Sequence, residues 1–102
     1  MTALNVVRVE PIGIDLEVMP GETVMQAAER RGYYWPTVCG GVTECGACRC
    51  EVQSGAELAG SAEGREIQVL RGIGLSAGRF RLACCLVPVG PLVVLKVGVR
   101  AW

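Results

Sequence analysis

The chain has 102 residues, six of them cysteine and none histidine, and its ten basic side chains balance ten acidic ones. That length supports one domain, residues 1–102, able to bury roughly 65% of the surface its unfolded form exposes. Zero net charge withholds the electrostatic footprint of nucleic-acid and membrane-surface binders, and the missing histidine excludes His-containing zinc fingers, the Rieske cluster and the commonest general base.

Alternating segments at residues 4–9 and 14–19 flank Pro11-Ile12-Gly13 and predict a β-hairpin. Pro20-Gly21-Glu22-Thr23 then stops the strand, and Thr23 with Gln26 forms the capping box of a helix running through Arg31 and closed by Gly32. Val24, Ala27 and Ala28 share one face of that helix, which is expected to pack on the hairpin. Glycines and Pro36 interrupt residues 33–47, so no regular structure is expected there. A strand follows at 48–53. A second helix is predicted at 62–71, capped by Ser61, with Ile67, Leu70 and Ile73 on its apolar side. Strands at 80–84 and 92–97 complete the order, the last an apolar run suited to a sheet interior. Strand, strand, helix, loop, strand, helix, strand, strand is an α+β arrangement.

The uncharged stretch 82–95 is broken by Pro88, Gly90 and Pro91 and falls short of the ~20 residues that span a bilayer. Residues 1–5 show no basic-then-apolar leader, from which a reducing, cytoplasmic location is expected. Cysteines there are better read as metal ligands than as a disulfide framework.

The string Cys39-Gly-Gly-Val-Thr-Glu-Cys45-Gly-Ala-Cys48 gathers three thiols, and Arg81-Leu82-Ala83-Cys84-Cys85 adds a remote one. Four thiolates saturate a two-iron cluster, while Gly40, Gly41 and Gly46 allow backbone N–H groups to approach its sulfurs. Cys84 and Cys85, as neighbours on a strand, point to opposite faces, so only one of them can face the cluster. Cys50 and the remaining thiol then read as small buried hydrophobes. A structural zinc module uses the same ligand types, but it normally pairs two short Cys-x-x-Cys knuckles and the second is missing.

These motifs resemble those of the two-iron two-sulfur ferredoxins of the adrenodoxin and putidaredoxin kind, within the ferredoxin-like β-grasp group. The match covers nearly the whole chain: five residues between the first two ligands, two between the next, and a fourth in an Arg-Leu-small-Cys segment. The resemblance implies a mixed β-grasp sheet with a packed helix and a long cluster-binding loop, and one 2Fe-2S cluster on Cys39, Cys45, Cys48 and Cys84. It implies further that Cys39 and Cys45 hold the outer iron, with Cys48 and Cys84 on the inner one.

The function so implied is a soluble one-electron carrier, monomeric when free, that takes electrons from a flavoprotein reductase and passes them to a terminal enzyme such as a haem-thiolate monooxygenase. It transforms no substrate itself. A tightly bound subunit of a larger oxidoreductase and a ferredoxin of iron–sulfur cluster assembly are the alternatives. Family members carry an acidic docking helix, whereas here Glu57, Glu63 and Glu66 are mixed with Arg65 and Arg71. Partner encounter is therefore expected to depend only shallowly on salt. Arg49 has two readings, a cation raising the cluster potential or a solvent-facing strand residue. Tyr33, Tyr34 and Trp35 are expected to pack against the helix and shield the cluster, and Trp102 to contact a partner or form a loose tail.

Overall fold

In the computed structural model, which describes residues 5–37, 47–62 and 64–101, the hairpin pairs β1 (Asn5–Glu10) with β2 (Ile14–Val18). Gly13 closes it at φ +79°, a left-handed value that glycine adopts without a Cβ clash, and its N–H donates to the Val9 carbonyl at 2.8 Å. Alternation then sends Val7, Val9, Leu16 and Val18 inward, each fully buried side chain worth about 1.5–3 kcal/mol.

Helix α1 (Val24–Arg30) starts at the predicted capping box: Gln26 N–H donates to Thr23 Oγ1 at 3.1 Å and Thr23 N–H to Gln26 Oε1 at 2.9 Å. Val24, Met25, Ala27 and Ala28 bury its inner face. Two residues later, β3 (Tyr33–Tyr34) forms where no regular structure is expected from sequence. Its partner is β7 (Arg100–Ala101), and the Arg100 guanidinium lies 5.2 Å from the Tyr34 ring centroid. Neither dipeptide has a strand signal of its own, because the pairing is made across the length of the chain.

The remaining strands are β4 (Arg49–Ser54), β5 (Phe80–Leu82) and β6 (Leu92–Leu95), separated by a 3-10 turn (Ala56–Leu58) and α2 (Gly64–Gly72). The main sheet runs β2-β1-β6-β4-β5, with β1 and β6 parallel and the other pairs antiparallel. The apolar β6 thus lies in the middle, as expected, and the mixed sheet with α1 packed on it is the anticipated β-grasp. Gly55 enters the 3-10 turn at φ +81°, where a Cβ would meet the Pro91 carbonyl oxygen at 2.6 Å.

Three local expectations are corrected. Helix α2 starts at Gly64, beyond the expected start at 62 and its cap Ser61, and it buries Leu70 and Glu66, leaving Ile73 exposed. The strand expected at 92–97 ends at Leu95, and Val97 is exposed. The strand expected at 80–84 ends at Leu82, where the chain turns: the N–H groups of Cys85 and Leu86 both donate to the Leu82 carbonyl, each at 2.9 Å. No helix among the described residues is long and apolar enough to cross a membrane.

Candidate metal centre

Cys48 immediately precedes β4, and Cys84 lies in the turn that follows β5. Antiparallel pairing of these strands, with Arg49 opposite Leu82, carries both cysteines to the same end of the sheet. Their sulfurs approach to 3.5 Å. Two thiolates on a tetrahedral metal with bonds of about 2.3 Å lie about 3.8 Å apart, so the pair fits one metal ion. The hydrogen bond to Cys84, and after it burial, push the Cys48 thiol above its ordinary range.

The Cys84 turn is gripped from two sides. On one side, the first N–H groups of α1 have no partner within the helix. Val24 N–H donates to the Leu86 carbonyl at 2.9 Å and Met25 N–H to the Ala83 carbonyl at 3.0 Å. On the other side stands a buried ion pair. Arg81 Nε and Nη2 meet Glu66 Oε2 and Oε1 at 2.8 and 3.1 Å, while Nη1 donates to the carbonyls of Ala59 and Gly60. Leu82 N–H also donates to Glu66 Oε2, at 2.9 Å. Glu66 therefore belongs to the interior, which takes one more acid from the region that carries the docking helix in the family and agrees with the doubt raised there by Arg65 and Arg71. Glu57, Arg65 and Arg71 remain exposed.

The backbone of Cys48 is held as firmly. Its carbonyl accepts from Trp35 Nε1 at 3.0 Å and from Ala83 N–H at 3.3 Å. Of the aromatic run, Trp35 is fully buried and Tyr33 and Tyr34 are half-buried. Lys96 Nζ reaches the preceding carbonyl, that of Ala47, at 2.6 Å. Nothing local in the sequence marks Lys96, since the contact is made across the sheet.

The argument that Cys84 and Cys85 face opposite ways fails, because strand alternation ends with β5. Their sulfurs lie 3.9 Å apart in the turn. Cys50 is fully buried, donates to the Arg81 carbonyl at 3.5 Å and has its thiol pushed up to about 12 by burial, as suits an inert core residue. Arg49 is exposed, alternating with the buried Cys48, Cys50 and Val52. Cys39, Cys45, Gly40, Gly41, Gly46, Glu63 and Trp102 lie outside the described residues.

The profile of the 2Fe-2S iron-sulfur cluster binding domain matches residues 7–89. The chain belongs to that family. This ferredoxin domain carries one 2Fe-2S cluster, which sets aside the zinc module. Its fold is similar to that of the ISC-like 2Fe-2S ferredoxin from Pseudomonas putida, with a TM-score of 0.74 and 27% identity over 90% of this chain and 91% of that one. A reduced putidaredoxin variant from Pseudomonas putida gives 0.66 and 27%, covering 98% of this chain and all of the other. These neighbours agree with the adrenodoxin and putidaredoxin branch. Among curated proteins, the ferredoxin domain is 35% identical over 86% of its length to the phenol 2-monooxygenase reductase component of Pseudomonas sp. strain CF600. It spans only 24% of that protein.

Proposed function

We propose that this ferredoxin domain is a one-electron carrier, taking electrons from a flavoprotein reductase and delivering them to a terminal oxidoreductase such as a haem-thiolate monooxygenase. Cys39, Cys45, Cys48 and Cys84 are assigned as the thiolate ligands, with backbone N–H groups at Gly40, Gly41 and Gly46 directed to the sulfurs. The observation carrying the reading is the 3.5 Å approach of Cys48 to Cys84, two thiols joined across the sheet and supported by α1 on one flank and the Arg81–Glu66 pair on the other. The bound cluster supplies a one-electron couple. The chain's own part is to keep the ligand backbones fixed, with Trp35 and Ala83 holding the Cys48 carbonyl. Four thiolates leave no open coordination position, so the domain transfers electrons and is not itself an enzyme.

The reading takes residues 1–102 as one domain, monomeric when free and housed in a reducing cytoplasm. Docking cannot rely on Glu66, which is spent on Arg81. A second reading, in which the domain is fixed within a larger reductase, is favoured by its likeness to a quarter-length segment of the phenol 2-monooxygenase reductase component.

Visible spectra test the ligand set. The cluster-loaded chain is expected to be coloured and to give a paramagnetic resonance signal on dithionite reduction. Cys84→Ser should abolish the normal spectrum and Cys85→Ser should leave it intact. The reverse result moves the fourth ligand to Cys85, and a colourless protein that gains no signal ends the reading.

A further inference from the structure

Lys96 follows β6 directly, and its backbone N–H donates to the Glu10 carbonyl at 2.8 Å, extending the parallel ladder between β1 and β6. The side chain is therefore rooted in the centre of the sheet. From there it crosses toward the ligand segment, half-buried, and its ammonium donates to the Ala47 carbonyl at 2.6 Å. A hydrogen bond from a charged donor is shorter and about twice as strong as a neutral one. Ala47 is the residue just before Cys48 and lies within the two-residue spacer from Cys45.

Two successive carbonyls of this arm are thus held by side chains from different parts of the fold, Ala47 by Lys96 and Cys48 by Trp35. The open depression beside the contact is lined by Arg49, Glu51, Phe80 and Val97 together with Lys96. Its one acid, Glu51, is engaged by Arg79 at 2.6 Å. Lys96 is the cation of this group whose ammonium bonds the backbone of the ligand arm. A fixed cation beside a site that gains negative charge on reduction favours the reduced state.

We propose that Lys96 is a positioning residue for the cluster: it ties the arm between the second and third cysteines to the central strand and raises the reduction potential. The inference rests on the ligand reading above, in that Cys48 must bind the cluster. Failure of the wild-type chain to hold a cluster would sink that reading, whereas failure confined to the variants sinks this one.

The test compares Lys96→Met, Lys96→Arg and Arg49→Met as cluster-loaded proteins, reading the midpoint potential and the rate of bleaching by a chelator. Lys96→Met is expected to shift the reduction equilibrium threefold to tenfold toward the oxidised form, about 30–60 mV at 59 mV per decade for one electron. It should also bleach several times faster. Lys96→Arg, which keeps charge and donors, should recover most of both losses. Arg49→Met removes the neighbouring exposed cation and should change both readouts by clearly less than Lys96→Met does. If Lys96→Met matches the wild type in both readouts, or if Arg49→Met reproduces its effects, the proposal is wrong. Should Lys96→Met fail to retain a cluster, Lys96→Arg decides: wild-type lifetime and potential support the proposal, and collapse like that of the methionine variant overturns it.

Discussion

Among the described residues the same arginine–glutamate fork occurs twice, once at the surface and once in the interior. Arg30 meets both oxygens of Glu22 at 2.8 and 2.9 Å, a backbone N–H from Met19 adds a third bond to the carboxylate, and Arg30 also donates to the Glu17 carbonyl. Arg81 and Glu66 repeat the design, with Leu82 N–H as the third donor and the carbonyls of Ala59 and Gly60 as extra acceptors. Only the surroundings differ: the Arg30 side chain is 38% exposed, whereas Arg81 and Glu66 are 4% exposed each. At the surface, water can replace a lost partner. In the interior nothing can, so the buried fork makes the position of β5, and of the turn that follows it, depend on every one of its bonds.

Breaking the buried fork should therefore give the largest effect. Glu66→Ala strands the Arg81 guanidinium in the interior, an expected cost of about 3–5 kcal/mol, seen as a large fall in the urea midpoint of the cluster-loaded protein. Faster cluster loss should accompany it, because the Cys84 turn then loses the grip that Glu66 supplies on β5. Replacing both partners with apolar residues should cost clearly less than Glu66→Ala by itself. A single variant no worse than the double would show that water reaches this pair, and the contrast with the surface fork would disappear.

An intermediate effect is expected at Thr23, which sits beside the surface fork but caps the helix whose first N–H groups hold the Cys84 turn. Thr23→Ala should cost about 1 kcal/mol in thermal or urea unfolding. Thr23→Asn, which keeps an acceptor, should recover most of it. Equal losses in both variants would place the stabilisation elsewhere than in the cap.

What could be read from sequence divides along the line between local and distant causes. The hairpin turn at Gly13, the capping box at Thr23 and the cysteine spacing are complete within a few residues, and the first two appear in the fold as expected. Arg81 could be seen only as part of an Arg-Leu-Ala-Cys segment, and Glu66 only as an acid on a helix, because the reason for each is the other. Tyr33–Tyr34 needs Arg100–Ala101 to become a strand, and Lys96 needs Ala47 to acquire a role. The argument that set Cys84 and Cys85 on opposite faces failed for a related reason: period-two alternation was carried past Leu82, where the carbonyl of that residue already accepts from the turn. Half of the proposed ligand set, Cys48 with Cys84, is on view in the fold, whereas Cys39 and Cys45 are proposed from spacing and family resemblance alone.

The smallest effect belongs to the surface fork and shows itself only in acid. The Arg30 guanidinium, through its hydrogen bonds, holds the Glu22 carboxyl below its ordinary value of 4.5. The unfolded chain, where that fork is absent, therefore takes up the proton at a higher pH than the folded one. Stability from Glu22 is present in full above the ordinary value and is lost as the pH falls through the lowered folded value. Glu22→Gln should accordingly be slightly less stable than the wild type at neutral pH, and the two should converge as the medium is acidified below 4.5. High salt should narrow the neutral difference, because the guanidinium is partly solvated. A gap that persists unchanged into acid would mean that Glu22 acts through shape and neutral hydrogen bonding. The surface fork would then work as the buried one does, by the bonds it completes and not by its charge.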